Sequence, residues 1–266
     1  MIDGAVPYLR CPVCGESLAR RDRMLRCPAR HSFDLAKQGY ADLAGGRVRH
    51  EGDSASMIAD RAAFLAAGHY DFIAEALTGY ATDGLVVDAG TGTGGYLAHV
   101  LEAAPGAIGL GLDVSKAALR WAARAHPRAA AVRADLWNVL PVADAAAELI
   151  LNVFAPRNGA EFHRILRPGG RLVVVTPAPE HLRELVAAHG LIRVDPGKAG
   201  RVGAALGTGF TAESRRTLCR ELELSRREVR TLIGMTPSAR HVAAADVPAG
   251  SHRVTAKVDV AVYRPA

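Results

Sequence analysis

The sequence predicts a doubly wound α/β domain, a mostly parallel sheet with helices on both faces, preceded by a small module that a metal ion holds together. Three observations predict it. Short apolar runs alternate with amphipathic stretches from about Phe72 to Thr176, as strand and helix alternate in a parallel sheet. The first of those runs enters a glycine-rich turn, Val86-Val-Asp-Ala-Gly-Thr-Gly-Thr-Gly-Gly95. Three of the four cysteines crowd into the first thirty residues beside His31.

The module comes first in the chain. From Pro7 to about Leu43 the sequence is rich in turn formers and Arg and poor in long apolar runs, so it cannot bury a large core unaided. The spacing Cys11-x2-Cys14-x12-Cys27-x3-His31 supplies four ligands, two in Cys-Pro-Val-Cys-Gly and two in Cys-Pro-Ala-Arg-His. A Cys3His set closes a tetrahedral zinc shell and leaves no open position for a catalytic water, so the role is structural. Arg20, Arg21, Arg23, Arg26 and Arg30 lie among the ligands and suit phosphates, or else form a solvated basic loop. Cys219 stands alone and reads as an ordinary buried thiol.

Charge agrees with this division. The net charge is +6 over 266 residues, and nine Lys or Arg against five Asp or Glu through His50 account for +4 of it. A positive N-terminal field of this kind can meet nucleic-acid phosphates. No window approaches the roughly 18 uninterrupted apolar residues of a membrane span, and no basic-then-apolar signal segment opens the chain. The expectation is a soluble, cytoplasmic protein with no membrane partner.

Ala44 to Gly52 reads as a linker, and Asp53-Ser54 as the N-cap of a helix from Ala55 to Ala67 that Gly68 ends just before His69 and Tyr70. The expected units are therefore a zinc-binding RNA-recognition domain over 1–43, a linker and connecting helix over 44–70, and a larger domain over 71–266. In that domain the pattern gives a helix near Phe72 to Tyr80, a strand Leu85 to Asp88, a helix through Leu101 and a strand Ala107 to Asp113. A helix Lys116 to Ala125, strands Ala130 to Ala134 and Glu148 to Val153, and a helix Gly159 to Leu166 follow. Strand Arg171 to Thr176 comes after an Arg-Pro-Gly-Gly turn, and a strand-like run from Arg253 to Tyr263 adds antiparallel to the sheet.

Read as G-x-G-x-x-G through Gly90, Gly92 and Gly95, the turn fits a dinucleotide site, which raises an NAD-dependent oxidoreductase; the chain after Asn152 shows no substrate domain for one. Read as D-x-G-x-G-x-G from Asp88 through Gly90, Gly92 and Gly94, it favours S-adenosylmethionine, whose ammonium and sulfonium suit an acidic neighbour. Asp113 ends the second strand, where a carboxylate can accept ribose hydroxyls, and Asp135 ends the third, in place to contact the adenine amino group. Each Asp alone could cap a helix instead.

Asn152-Val-Phe-Ala-Pro156 and His163-Arg-Ile-Leu-Arg-Pro-Gly-Gly170 complete a resemblance, from about Val86 to Thr176, to the class I S-adenosylmethionine methyltransferases. The implied fold is a class I methyltransferase (Rossmann-like) doubly wound sheet with a small N-terminal zinc-binding domain. Adding Phe33-Asp-Leu-Ala-Lys-Gln-Gly-Tyr40, Gly52-Asp-Ser-Ala-Ser-Met57, Arg61, Phe64-Leu65, Gly68-His-Tyr70, Pro179-Glu-His-Leu-Arg-Glu-Leu185 and Gly234-Met-Thr-Pro-Ser-Ala-Arg-His241, nearly the whole chain resembles the RlmA family of 23S rRNA guanine-N1 methyltransferases. Asn152 to Asn158 and Ser238 to His241 are similar to its Gram-positive, TlrB-like branch.

The resemblance implies methyl transfer from S-adenosylmethionine to a guanine in a domain II hairpin loop of 23S rRNA, with macrolide (tylosin-type) resistance as a biological outcome. It implies that Tyr70, Gly92, Thr93 and His181 contact the cofactor, that Cys11, Cys14, Cys27 and His31 hold zinc, and that the protein forms a homodimer with a cleft for RNA. Guanine N1 carries a proton that must leave, and Asp53, His69 and His181 are the candidates to take it, with the catalytic residue left open. Phe154 and Trp137 can stack on the flipped base or belong to the core. A zinc-bearing methyltransferase of small molecules and a non-catalytic RNA-binding protein are the rival readings.

Overall fold

The computed structural model describes residues 2–46, 52–195, 197–242 and 247–266, with the backbone alone for 198–201. Arg47 to Glu51, the middle of the expected linker, lie outside the described residues.

Helix α1 (Ile2–Ala5) opens the chain, and strands β1 (Ala19–Arg21), β2 (Met24–Arg26) and β3 (Ser32–Asp34) form a small antiparallel sheet. This ribbon is not a bead on a string. Leu9, Cys11, Leu25 and Cys27 share one apolar cluster with Leu110, Val132 and Val142 of the larger unit. Strand β4 (Ala41–Asp42) pairs parallel with Val132 and Arg133, so the end of the zinc-binding stretch is stitched into the main sheet.

Helix α2 (Ala55–Ala66) is capped by Ser54, whose Oγ accepts from Met57 N at 3.2 Å. Asp53 is free of that duty and pairs with Arg61 at 2.7 Å. Then come α3 (Asp71–Thr78), β5 (Gly84–Ala89), α4 (Gly95–Ala103), β6 (Ala107–Asp113), α5 (Lys116–Ala125), β7 (Ala129–Arg133), β8 (Ala147–Val153) and α6 (Gly159–Ile165). Strand β9 (Leu166–Pro177), α7 (Arg183–His189), α8 (Lys198–Leu206), β10 (Phe210–Ser225), α9 (Arg226–Gly234) and β11 (Ser251–Pro265) follow.

Among the described residues the main sheet has eight strands in the order β10-β11-β9-β8-β5-β6-β7-β4, with β11 antiparallel to both neighbours. The chain winds outward from β5 through β6 to β7, then crosses back to β8 on the other side of β5. That reversal opens a crevice at the carboxyl ends of β5 and β8, where open α/β sheets bind ligands.

Two expectations need correction, and one long strand is unanticipated. Arg167-Pro-Gly-Gly170 is not a turn before the fifth strand but an irregularity inside β9: Leu166 pairs with Ala147 and Arg171 with Leu149. β10 is not legible in the sequence because, among the described residues, one of its edges pairs with nothing, its face is wet, and only Leu222 and Leu224 are buried. Cys219, expected to be buried, is exposed on that strand for the same reason. No helix of the described residues is long and apolar enough to cross a membrane.

Candidate functional site

A cavity of about 720 Å³ occupies the crevice. Its floor is the glycine turn. Gly90 (φ 90°) and Thr91 both donate their N–H to Leu112 O, at 2.9 and 3.0 Å, which folds the turn back over β6. A Cβ on Gly90 would lie 2.3 Å from Ala155 Cβ, so only glycine lets the turn meet the loop after β8. Asp113 accepts from Gly92 N at 2.9 Å and from Ser115 N at 2.8 Å, and burial pushes its carboxyl above the usual range. Asp135, 5 % exposed, accepts from Trp137 N at 3.0 Å and Asn138 Nδ2 at 3.3 Å.

Of the predicted residues, Tyr70, Gly90, Gly92, Thr93, Asp113, Asp135 and His181 line this one cavity. Asp88 and Gly94 do not. Gly94 (φ 81°) starts α4, and a Cβ there would fall 2.9 Å from Ala125 Cβ, so it is a packing glycine that seats α4 on α5. Asp88 lies beneath the floor, 1 % exposed, with Oδ2 accepting from Thr91 Oγ1 at 2.8 Å and Oδ1 without a partner. Burial, helped by the charge of Asp113, pushes its carboxyl up to about 7 against the pull of Thr91.

This raised value has a pH signature. A folded-state pKa above the unfolded one gives stability that is present at low pH and lost as pH rises toward about 7. Between pH 5 and 8 the ligand-free protein should lose about 2 to 3 kcal/mol through Asp88, at about 1.4 kcal/mol per pH unit. Urea unfolding of wild type and Asp88→Asn at both pH values checks this: the variant should lack that increment of pH dependence, and equal slopes would refute it.

The walls sort the candidate bases. His181 Nδ1 accepts from Lys257 N at 3.1 Å, so the neutral ring carries its proton on Nε2, which faces Tyr70 Oη at 3.3 Å. It offers a donor there, not a lone pair. His69 is outside the cavity: Nε2 meets Glu228 Oε1 at 2.8 Å and the ring packs 4.9 Å from Phe64, tying the α2–α3 turn to α9. Asp53 lines the cavity, held by Arg61 Nη1, while Arg61 Nη2 donates to Met235 O at 3.0 Å.

The loop after β8 is strained. Phe154 has φ 54°, a left-handed conformation costly for a bulky side chain, yet the residue is 42 % exposed and lines the cavity. Asn152 braces the loop from below, its Nδ2 donating to Ala89 O at 3.0 Å and Pro156 O at 2.8 Å. The Phe154 ring stands 6.4 Å from Tyr70 and 6.2 Å from His181. Trp137, which also lines the cavity, is 55 % exposed. Neither ring is core, which overturns that alternative. Ile192 to Asp195 also line the cavity, and nothing in their periodicity or composition marks them in the sequence.

At the other centre the ligand atoms of Cys11, Cys14, Cys27 and His31 lie within 4.8 Å of one another. Cys27 Sγ is 3.4 Å from His31 Nδ1 and 3.7 Å from Cys14 Sγ. Tetrahedral zinc with bonds near 2.3 Å sets its ligands about 3.7 Å apart, so the set fits. Two tight turns create it: Gly15 N donates to Cys11 O at 2.8 Å and Arg30 N to Cys27 O at 2.9 Å. Arg20, Arg21, Arg23, Arg26 and Arg30 are all exposed around it.

Comparison with known proteins adds to the geometry. Residues 9–44 match the family model described as RlmA, N-terminal, and residues 86–170 one described as a methyltransferase domain. The chain is 52 % identical to a 23S rRNA (guanine-N1)-methyltransferase of Micromonospora griseorubida, over 98 % of each chain. It is 46 % identical to the 23S rRNA (guanine(748)-N1)-methyltransferase of Streptomyces fradiae, over 100 % of this chain and 99 % of that one. Among solved structures, a chain from the complex of the Haloferax volcanii Trm112 methyltransferase activator with a methyltransferase shares the fold. Its TM-score is 0.55 at 18 % identity, over 81 % of this chain and 99 % of that one.

Proposed function

The chain belongs to the 23S rRNA (guanine-N1)-methyltransferase family, and we propose that it transfers a methyl group from S-adenosylmethionine to N1 of a guanine in a domain II hairpin loop of 23S rRNA. The observation that carries this reading is the coincidence of a cofactor-sized cavity at the strand crossover with a strained, exposed aromatic residue, Phe154, in its lining.

The residues present fit the cofactor. A buried carboxylate with a lone oxygen, Asp88, under a floor that carries Asp113, favours a cationic guest. Gly90, Gly92 and Thr93 would take the cofactor along the backbone, Asp113 its ribose, Asp135 its adenine, and Tyr70 and His181 its far end. Bound there, S-adenosylmethionine supplies an electrophilic methyl group on a sulfonium centre. Cys11, Cys14, Cys27 and His31 would hold a structural zinc that presents the ribbon arginines to RNA.

The protein's own part is to extract, hold and deprotonate the base. Phe154 and Trp137 offer ring faces to a guanine that has left its stack, which a hairpin loop makes inexpensive. Asn152 fixes Phe154 by bracing its loop. Asp53 is the one of the three candidate bases that both lines the cavity and offers an acceptor, with Arg61 aiming its carboxylate; it would receive the N1 proton. The reading carries with it a homodimer, a cytoplasmic site of action and macrolide (tylosin-type) resistance, as the family resemblance implies.

The test is nucleoside analysis of 23S rRNA after incubation with protein and cofactor, where 1-methylguanosine should appear and no other new methylated nucleoside. Phe154→Ala should lower kcat/KM for RNA by about 10- to 100-fold, from a stacking loss of about 1 to 3 kcal/mol. Cofactor binding, read by calorimetry, should be nearly unchanged. A methylated base other than guanine would overturn the assignment.

A further inference from the structure

Helix α9 carries a set of charges that its own stability argues against. Arg226 and Arg227 occupy its first turn, where cations oppose the helix dipole, and Arg230 lies three and four residues on, where like charges repel. The acid of that turn is already committed: Glu228 accepts from Ser225 N and Oγ, at 2.8 and 2.6 Å, and meets His69. Among the described residues none of the three arginines has an ion-pair partner. They instead line a separate groove of about 540 Å³ between α2 and α9, with Asp60, Thr231 and Gly234 as its other walls.

The groove is a near neighbour of the methyl-transfer cavity. Asp60 and Gly234 line the groove, while the residues next to them in the chain, Arg61 and Met235, line the cavity and are joined to each other by the Arg61 Nη2 to Met235 O bond. One thickness of backbone separates the two concavities. The flanking backbone of a strand that places a base in the cavity comes within reach of the groove if it leaves past Arg61 and Met235, the residues that separate the two.

We propose that the α2–α9 groove, through Arg226, Arg227 and Arg230, binds backbone phosphates of the RNA strand flanking the target guanine, a second grip distinct from the zinc ribbon. Guanidinium forks match phosphate oxygens and carry no sequence information, so the groove fixes the position and register of the RNA and leaves the choice of base to the cavity. Bound phosphates also relieve the repulsion among the three arginines. This rests on the proposed RNA substrate.

The test compares wild type with the combined variant Arg226→Gln, Arg227→Gln, Arg230→Gln, using a 23S rRNA domain II fragment. Removing three phosphate contacts to a single strand should reduce the slope of log affinity against log salt by about 2 and raise KM on the order of tenfold. The kcat at saturating RNA and the calorimetric cofactor affinity should stay at wild-type values, which also shows that the variant is folded. The pair Arg120→Gln, Arg124→Gln on the exposed side of α5 serves as the charge control and should change the slope little.

An unchanged slope in the triple variant, or an equal loss per charge in the control pair, overturns the groove assignment while leaving the methyltransferase reading intact. Failure of the wild-type protein to methylate RNA is a separate result that counts against the reading itself.

Discussion

Replacing Cys27 by Ala is expected to abolish zinc binding, melt the ribbon and remove most of the protein's affinity for RNA. A structural zinc site of this kind contributes on the order of 10 kcal/mol of apparent binding energy, which is folding energy for a segment without a core of its own. Here the loss spreads. Cys11 and Cys27 pack in the same apolar cluster as Leu110 and Val132, and β4 pairs with β7, so a molten ribbon exposes one side of the main sheet. Elemental analysis should find one zinc per wild-type chain and none in the variant, with a large fall in Tm. The cavity takes no residue from the ribbon sheet, so cofactor binding below the melting transition should survive. A variant that keeps full RNA affinity without zinc would refute the assigned role.

Gly90→Ala should be the most damaging single change at the cavity. The residue sits at φ 90°, and the added methyl would lie 2.3 Å from Ala155 Cβ, far inside contact distance. Ala155 belongs to the loop that holds Phe154, so the displacement moves the cofactor floor and the base platform together. A shift near 1 Å in such a site costs about 100-fold in rate. The signature is a joint loss, with weaker cofactor binding and lower kcat, whereas Phe154→Ala should spare the cofactor. Wild-type cofactor affinity in Gly90→Ala would show that the turn is not the floor.

How much of this was legible beforehand depends on what each residue's role leaves in the sequence. The parallel strands were visible because strands buried on both faces need continuous apolar runs, and Val86-Val87 and Val173-Val-Val175 are such runs. The zinc ligands were visible because metal geometry dictates spacing. Strand β10 was not: an edge strand with a wet face reads as charged irregular sequence. The spacing of Gly94 continues the motif and so groups it with the cavity, yet packing of α4 on α5 explains it. The candidate bases could not be sorted from sequence, since their fates turn on a Lys257 N–H and on Glu228, residues 76 and 159 positions away from His181 and His69. Phe154 is legible in the sequence as a candidate platform, but its strain is not, because only backbone angles reveal it.

The most direct test of the central claim is primer extension along 23S rRNA that has been incubated with the protein and S-adenosylmethionine, because methylation at N1 blocks the Watson–Crick edge and halts reverse transcriptase. The account predicts one new, cofactor-dependent stop, at a guanine in a domain II hairpin loop. Full-length products alone, from a protein that demonstrably binds the cofactor, would contradict it.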